Sequence, residues 1–236
     1  MDRKTELQTN LAKVKADISA ACQKYGRDPN EVTLIVVTKT WPASDVDLLA
    51  QLGVTDVGEN RDQEGKVKHE EVKHKDTSAN LTWHAIGQLQ TNKAKSVANW
   101  ADVVHSVDRI ELVAALAKAV AQRSRPLKCL IQVNLDPSPR DERGGALPSQ
   151  VQDLATQITS IPNLELAGVM GVAPLDEDPQ PAFAKLAKIS TELISRYPSA
   201  TWISAGMSGD YELAIKNGAT HLRIGSSILG HRPVNG

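Results

Sequence analysis

The chain has 236 residues, 41% of them hydrophobic, which is enough for a sizeable core; no shift in composition divides it, so it reads as one domain over 1–236. Its 27 lysines and arginines against 28 acidic residues give a net charge of −1, so there is no basic footprint for nucleic acid or an anionic membrane, and aromatic residues at 3% are too sparse for base-stacking platforms. Small-molecule chemistry is the better expectation.

Leu7, Leu11, Val14, Ile18 and Cys22 recur at helical spacing, which predicts an amphipathic helix over 1–25, ending near Tyr25 and Gly26, ahead of a barrel over 32–230. This charged start is not an apolar signal region, and no run approaches the ~18 apolar residues of a membrane span, so the expected location is the cytoplasm. Cys22 and Cys129 lie far apart without CxxC or Cys/His ligand spacing and read as small buried hydrophobes in a reducing compartment. Short apolar runs follow at 32–38, 55–57, 81–86, 102–105, 127–133, 164–169, 201–203 and 221–224. Helical patterns lie between them. Ser44 is expected to cap a helix that stops at Gly53, and Asp108 with Glu111 to open another in the manner of a capping box. Eight strands alternating with helices predict a single (β/α)8 barrel of the TIM type with an extra N-terminal helix, a fold usually of about 250 residues. The competing open, doubly wound sheet is less favoured, because no GxGxxG follows the first strand. The polar segment 135–148 (LDPSPRDERGGALP) reads as a lid over the active face or as a surface insertion, and the charge-dense 66–76 (KVKHEEVKHKD) as a solvated helix with its connecting loop.

Function in such a barrel gathers at the C-terminal strand ends, with phosphate often held after strands seven and eight. Lys39 closes the first run, directly before the turn Thr40-Trp41-Pro42, where partial burial would make its amine a useful nucleophile toward a carbonyl compound. The bland alternative is a surface lysine where a strand meets solvent. After the seventh run comes Ser204-Ala-Gly-Met-Ser-Gly-Asp210, with Ser208 expected to cap the helix carrying Leu213 and Ile215; after the eighth comes Arg223-Ile-Gly-Ser-Ser227. Two adjacent loops of small residues leading into helices expose backbone N–H groups and hydroxyls, which suits a phosphate. A lysine and a phosphate cradle facing across one barrel mouth imply a phosphorylated aldehyde held as an imine, and pyridoxal 5'-phosphate satisfies both ends. Arg223 would then point toward the ring nitrogen, where a guanidinium makes the cofactor a weaker electron sink. Asn60 could reach the ring, with Glu59 and Arg61 orienting neighbours. His84 reads first as a satisfied core histidine; His105, Ser106 and Asn134 also fall where strands end, and Met170 reads as packing. No Ser/His/Asp order, carboxylate pair or metal cluster stands out, so hydrolase and metalloenzyme readings are disfavoured.

The motifs VVTKT at 36–40, VGENRDQE at 57–64, WHAIGQLQTNK at 83–93, HSVDR at 105–109, IQVN at 131–134, GVMGVA at 168–173, ISAGMSGDYELAI at 203–215 and HLRIGSSILGHR at 221–232 together resemble the pyridoxal phosphate homeostasis proteins, the YggS/PROSC family. The resemblance covers nearly the whole chain and implies the barrel of alanine racemase's N-terminal domain. It implies Lys39 as the Schiff-base lysine and Arg223 at the pyridine nitrogen. It also implies phosphate contacts at Ser204, Gly225 and Ser226, with the backbone of Met207, Ser208 and Ile224 nearby, and Asn60 as a ring contact. Val57 and Leu229 depart from the aromatic residues common in the family, Gln88 from histidine or proline, and Ala205 and Gly209 from bulkier or hydroxylated residues near the cradle. The function implied is a cofactor-binding regulator of intracellular pyridoxal phosphate and vitamin B6, storing or delivering it to apoenzymes without efficient turnover. The alternative is an amino-acid racemase. Racemases of this kind take a tyrosine from a second domain of the partner subunit, whereas this sequence ends at Gly236 and Tyr25, Tyr197 and Tyr211 are predicted on or beside helices. Without that domain a monomer is expected. A phosphate-binding barrel using Lys39 as an aldolase-type amine is a third possibility.

Overall fold

The computed structural model describes residues 2–136, 144–175 and 177–230. The helix α1 (Arg3–Lys24) starts at Asp2, whose carboxylate accepts the Thr5 N–H at 2.8 Å, and buries Leu7, Leu11, Val14, Ile18 and Cys22 as their spacing requires. Eight strands follow: β1 (Thr33–Val37), β2 (Asp56–Glu59), β3 (Thr82–Ala85), β4 (Val103–Val107), β5 (Leu127–Gln132), β6 (Leu164–Met170), β7 (Trp202–Ser204) and β8 (His221–Ile224). They pair in parallel in chain order, and β8 closes on β1, Ile35 lying opposite Arg223. One helix follows each strand: α2 (Ala43–Gln51), α3 (Asp62–Val72), α4 (Ala94–Val97), α5 (Ile110–Val120), α6 (Val151–Thr159), α7 (Pro179–Arg196), α8 (Tyr211–Lys216) and α9 (Ser226–Leu229). This is the (β/α)8 barrel expected from the eight apolar runs.

Alternation along each strand sorts side chains into two environments. Val36, Val57, Trp83, Val104, Ile131, Val169, Leu222 and Ile224 join the helices in the large core outside the barrel wall. The opposite parity faces inward, where Val103, Leu130 and Met170, joined by Ala167 at the register shift of β6 against β5, form a separate apolar cluster against Trp202. Asp56, His84, His105, Ser204, His221 and Arg223 share that inward parity. The interior of this barrel is therefore apolar on one side and polar on the other.

Several helix ends differ from the sequence reading. Ser44 lies inside α2, whose N-cap is Pro42, although the helix does stop before Gly53, where the Val54 N–H returns to the Leu49 carbonyl at 3.0 Å. Asp108 and Glu111 form no capping box: Arg109 is the N-cap of α5, and the Asp108 carboxylate accepts from the Arg109 guanidinium at 2.5 Å instead. In the segment 135–148, residues 137–143 lie outside the described residues, and the lid expectation with them. Ala146, beyond that gap, bridges to Val133 and donates its N–H to the Gln132 carbonyl at 2.8 Å. Among the described residues, no helix is long and apolar enough to cross a membrane.

The first residues of α1 reach the far end of the barrel wall. Arg3 Nη2 donates to Asp45 Oδ2 at 2.6 Å and to the Leu229 carbonyl at 3.1 Å, while its guanidinium lies 4.4 Å from the centre of the Trp41 ring. Asn10 Nδ2 donates to the neighbouring Ile228 carbonyl at 3.0 Å. Thus α1 braces α9 and the turn after β1 together.

Candidate functional site

The C-terminal ends of β1, β2, β7 and β8 surround a cleft of about 570 Å³ lined by Lys39, Trp41, Asn60, Met207, Ser208, Gly209, Arg223, Gly225 and Ser226. That volume lies within the roughly 300–1,000 Å³ of small-molecule sites. Lys39 stands one residue beyond Thr38 in the turn and is exposed, so the partial burial expected of it is not found. Its backbone, by contrast, is held from below. The Thr38 N–H donates to the Gly58 carbonyl at 3.0 Å, and Thr40 takes the left-handed conformation at φ 72°, uncommon for a β-branched residue, with its N–H on Glu64 Oε1.

Lys68 ties these pieces together. Its ammonium donates to the Thr38 carbonyl at 2.7 Å, to Glu59 Oε1 at 2.8 Å and to Glu64 Oε1 at 2.7 Å, and the Thr38 hydroxyl adds a bond to Glu59 Oε1 at 2.5 Å. The side chains of Lys68 and Glu59 are 6% and 0% exposed. Burial pushes the Glu59 carboxyl up, and Lys68 works against that shift. Sequence reasoning placed Lys68 on a solvated face; the Glu64–Lys68 spacing of four on a helix was the signal available for the pairing.

Arg223 is buried and reaches the cleft from the inward face of β8. Its Nη1 donates to Ser204 Oγ at 2.6 Å and its Nη2 to the Gly171 carbonyl at 3.0 Å. Burial lowers its pKa to about 10, with Asp210 pulling the other way, so the group remains a cation at neutral pH. Ser204 is fully buried beneath it and takes no part in lining the cleft: its Oγ lies 2.9 Å from His105 Nδ1. His105 Nε2 lies 2.8 Å from His84 Nδ1, and His84 Nε2 lies 2.9 Å from Asp56 Oδ1. His84 is thus a satisfied core histidine, as its position on a strand suggested, but as one link in a longer chain.

The two small-residue loops meet as the sequence indicated, with different internal bonds. Ser226 Oγ donates to Ser208 Oγ at 3.2 Å, joining the two sides. Ser208 does not cap the following helix; α8 begins at Tyr211 behind Asp210, whose carboxylate takes the Met207 N–H at 2.6 Å. Met207's amide is therefore committed within its own loop. Ile224 is buried in the large core and is not among the residues that line the cleft. A side chain at Gly225 would bring its Cβ within 2.9 Å of the Val37 carbonyl, so glycine keeps this wall close to β1. Asn60 is exposed at the rim, where Gly87 permits close backbone approach: a Cβ there would sit 2.2 Å from the Asn60 carbonyl oxygen. An exposed amine, a buried guanidinium and a hydroxyl-lined notch form a donor set that fits a phosphorylated aromatic aldehyde.

Fold and site define a class: a (β/α)8 barrel in which a lysine beyond β1 and an arginine on β8 share one cleft beside a small-residue notch. Residues 9–233 match the family model of the alanine racemase N-terminal domain. The chain is 38% identical to the pyridoxal phosphate homeostasis protein of Mycobacterium leprae, across 97% of this chain and 94% of that protein. It is 36% identical to the one from Escherichia coli, across 96% and 97%. PipY of Synechococcus elongatus, solved with pyridoxal phosphate bound, superposes with a TM-score of 0.81 at 30% identity, covering 95% of this chain and 100% of that one. Alanine racemase from Corynebacterium glutamicum, at 11% identity and a TM-score of 0.68 over 99% of this chain and 62% of that one, shares the fold. The chain belongs to the pyridoxal phosphate homeostasis proteins of the alanine racemase N-terminal domain family.

Proposed function

We propose that this protein binds pyridoxal 5'-phosphate and serves its intracellular homeostasis, in the cytoplasm and as a monomer, passing the cofactor to apoenzymes without efficient turnover of its own. The observation that carries the reading is the single cleft in which Lys39, Arg223 and the Ser208–Ser226 notch meet. Lys39 is the covalent anchor, Ser226, Ser208 and the first amides of α9 receive the phosphate, Arg223 faces the pyridine nitrogen, and Asn60 borders the ring. Ser204 acts through Arg223, not on the phosphate. Bound pyridoxal phosphate supplies an electrophilic aldehyde and an electron-withdrawing ring. A cationic Arg223 at that ring's nitrogen opposes its protonation and so discourages carbanion chemistry. The described lining of the cleft offers an amine and a guanidinium but no carboxylate, imidazole or phenol to act as a second acid or base, which favours a carrier over a racemase.

The test is the visible absorption of the protein incubated with pyridoxal phosphate, before and after borohydride, with Lys39→Ala beside it. The expected result is a borohydride-sensitive band that the variant lacks. A band retained in Lys39→Ala would move the anchor to another lysine. Racemisation or deamination of common amino acids at ordinary enzyme rates, on the order of 1 to 10³ per second, would overturn the carrier reading.

A further inference from the structure

Four hydrogen bonds run in single file across the barrel interior, from Arg223 on β8 through Ser204 on β7, His105 on β4 and His84 on β3 to Asp56 on β2, none longer than 2.9 Å. The Arg223 end opens into the cleft at the C-terminal strand ends. The Asp56 end borders the opposite mouth, beside Thr33 and Thr82 at the starts of β1 and β3. His84, His105 and Ser204 between them are fully buried.

The donors and acceptors along this row of bonds follow from its charged ends. A guanidinium only donates and a carboxylate only accepts, so both ends are fixed. Ser204 Oγ accepts from Arg223, and with His84 neutral and donating to Asp56 the one Ser204 hydrogen is left for His105 Nδ1. His105 is then protonated at Nε2 and donates to His84 Nδ1; His84 is protonated at Nε2 and donates to Asp56. Every donor points from the cation toward the anion. The reverse order would set a bare His84 Nε2 lone pair against the Asp56 carboxylate or add a second proton to His84, and either would leave a proton on Nδ1 that the first test below detects.

We propose that Asp56, His84, His105 and Ser204 are positioning residues for Arg223, a one-directional file of hydrogen bonds that fixes the guanidinium beneath the cofactor cleft by tying it to a carboxylate at the far mouth of the barrel. The inference rests on Arg223 facing the ring of bound pyridoxal phosphate. The two end bonds each involve a charged group and are the strong ones, and aligned neighbours in a dry interior reinforce one another. Without Ser204, the Gly171 carbonyl would be the one hydrogen-bond acceptor described for the Arg223 guanidinium.

The first test needs no cofactor. Nitrogen-15 NMR of the ligand-free protein at neutral pH should find His84 and His105 both as the neutral tautomer protonated at Nε2. Either ring protonated at Nδ1 would overturn the proposal, whatever the protein binds. The second test is the dissociation constant of pyridoxal phosphate by equilibrium dialysis. His105→Leu, which has neither donor nor acceptor, should weaken binding by roughly tenfold. His105→Gln, which carries one of each, should recover most of that loss. A folded His105→Leu protein that binds like the wild type would overturn the coupling. Should leucine prevent folding, Asp56→Asn takes its place: its amide can donate as well as accept, so His84 should leave the pure Nε2-protonated form, and an unchanged tautomer would remove Asp56 as the end that sets direction. A wild-type protein that binds no pyridoxal phosphate defeats the functional reading alone, and the tautomers then decide the file of bonds.

Discussion

Lys68 shows how far a single residue can depart from the character of its segment. Within the charge-dense run 66–76 it alone is drawn under the turn that carries Lys39, because Glu59 and Glu64 together with the Thr38 carbonyl complete its ammonium's bonds. Removing one partner of a buried ion pair leaves the other charged and unsolvated, so Lys68→Met is expected to cost about 3–5 kcal/mol in urea denaturation. Adding Glu59→Gln should recover part of that loss. An unchanged urea midpoint in the single variant would show that the ammonium is not what keeps Glu59 buried. Lys39 was legible from sequence since an apolar run followed by a proline-containing turn marks a strand end. Ser204 was not legible in the same way. A hydroxyl beside a glycine turn suggests a phosphate contact, whereas Ser204 is fully buried between Arg223 and His105, partners on other strands that no local pattern announces.

Among the elements, the strands were legible nearly to the residue. Strands such as β1 and β5 are covered on both faces and read as apolar runs, and even β2, β3 and β8, with polar residues turned inward, keep an apolar residue on the outer face between turns. Helix starts were less so: the starts of α2, α5 and α8 carry no side-chain cap bond, and a serine or aspartate near a start is therefore a poor marker here. The cross-barrel contact of His105 on β4 with Ser204 on β7 joins residues 99 apart in sequence, and no local pattern reports it. The helix α1 was legible from spacing alone, and its energetic role follows from that spacing. Leu11 is 4% exposed on the packed face. Leu11→Ala should lower stability by about 2–5 kcal/mol in a chemical melt, while the same change at an exposed position such as Lys15 should stay within about 0.5 kcal/mol. Equal effects at the two sites would mean that α1 is not anchored by its apolar stripe.

For the molecule as a whole, the polar half of the barrel interior sets the response to acid. Burial holds His105 well below its ordinary value and His221 at about 3. Burial works upward on the Asp56 carboxyl, but the hydrogen bonds from His84 and Thr55 outweigh it and keep that group low. All three shifts have the same sign for stability. In the unfolded chain, imidazoles near pKa 6.5 take up protons that the native His105 and His221 refuse, so their contribution is complete above about pH 6.5 and is lost as pH falls toward 3. The Asp56 contribution is present above about pH 3.9 and fades below it. Urea midpoints should be level between about pH 7 and pH 8 and fall on acidification, each histidine adding a slope of up to about 1.4 kcal/mol per pH unit. Stability that rose from pH 7 to pH 5 would contradict the buried, uncharged state of these rings. One contact also bears on how the protein comes into being. Arg3 meets the Leu229 carbonyl across 226 positions of sequence. Such a bond forms only after loop closure on the longest scale the chain allows, which slows folding. On the ribosome, the first helix must therefore wait, its apolar stripe without its final partner, until β8 and α9 have emerged. The wall of the cofactor cleft is among the last parts of the molecule to exist.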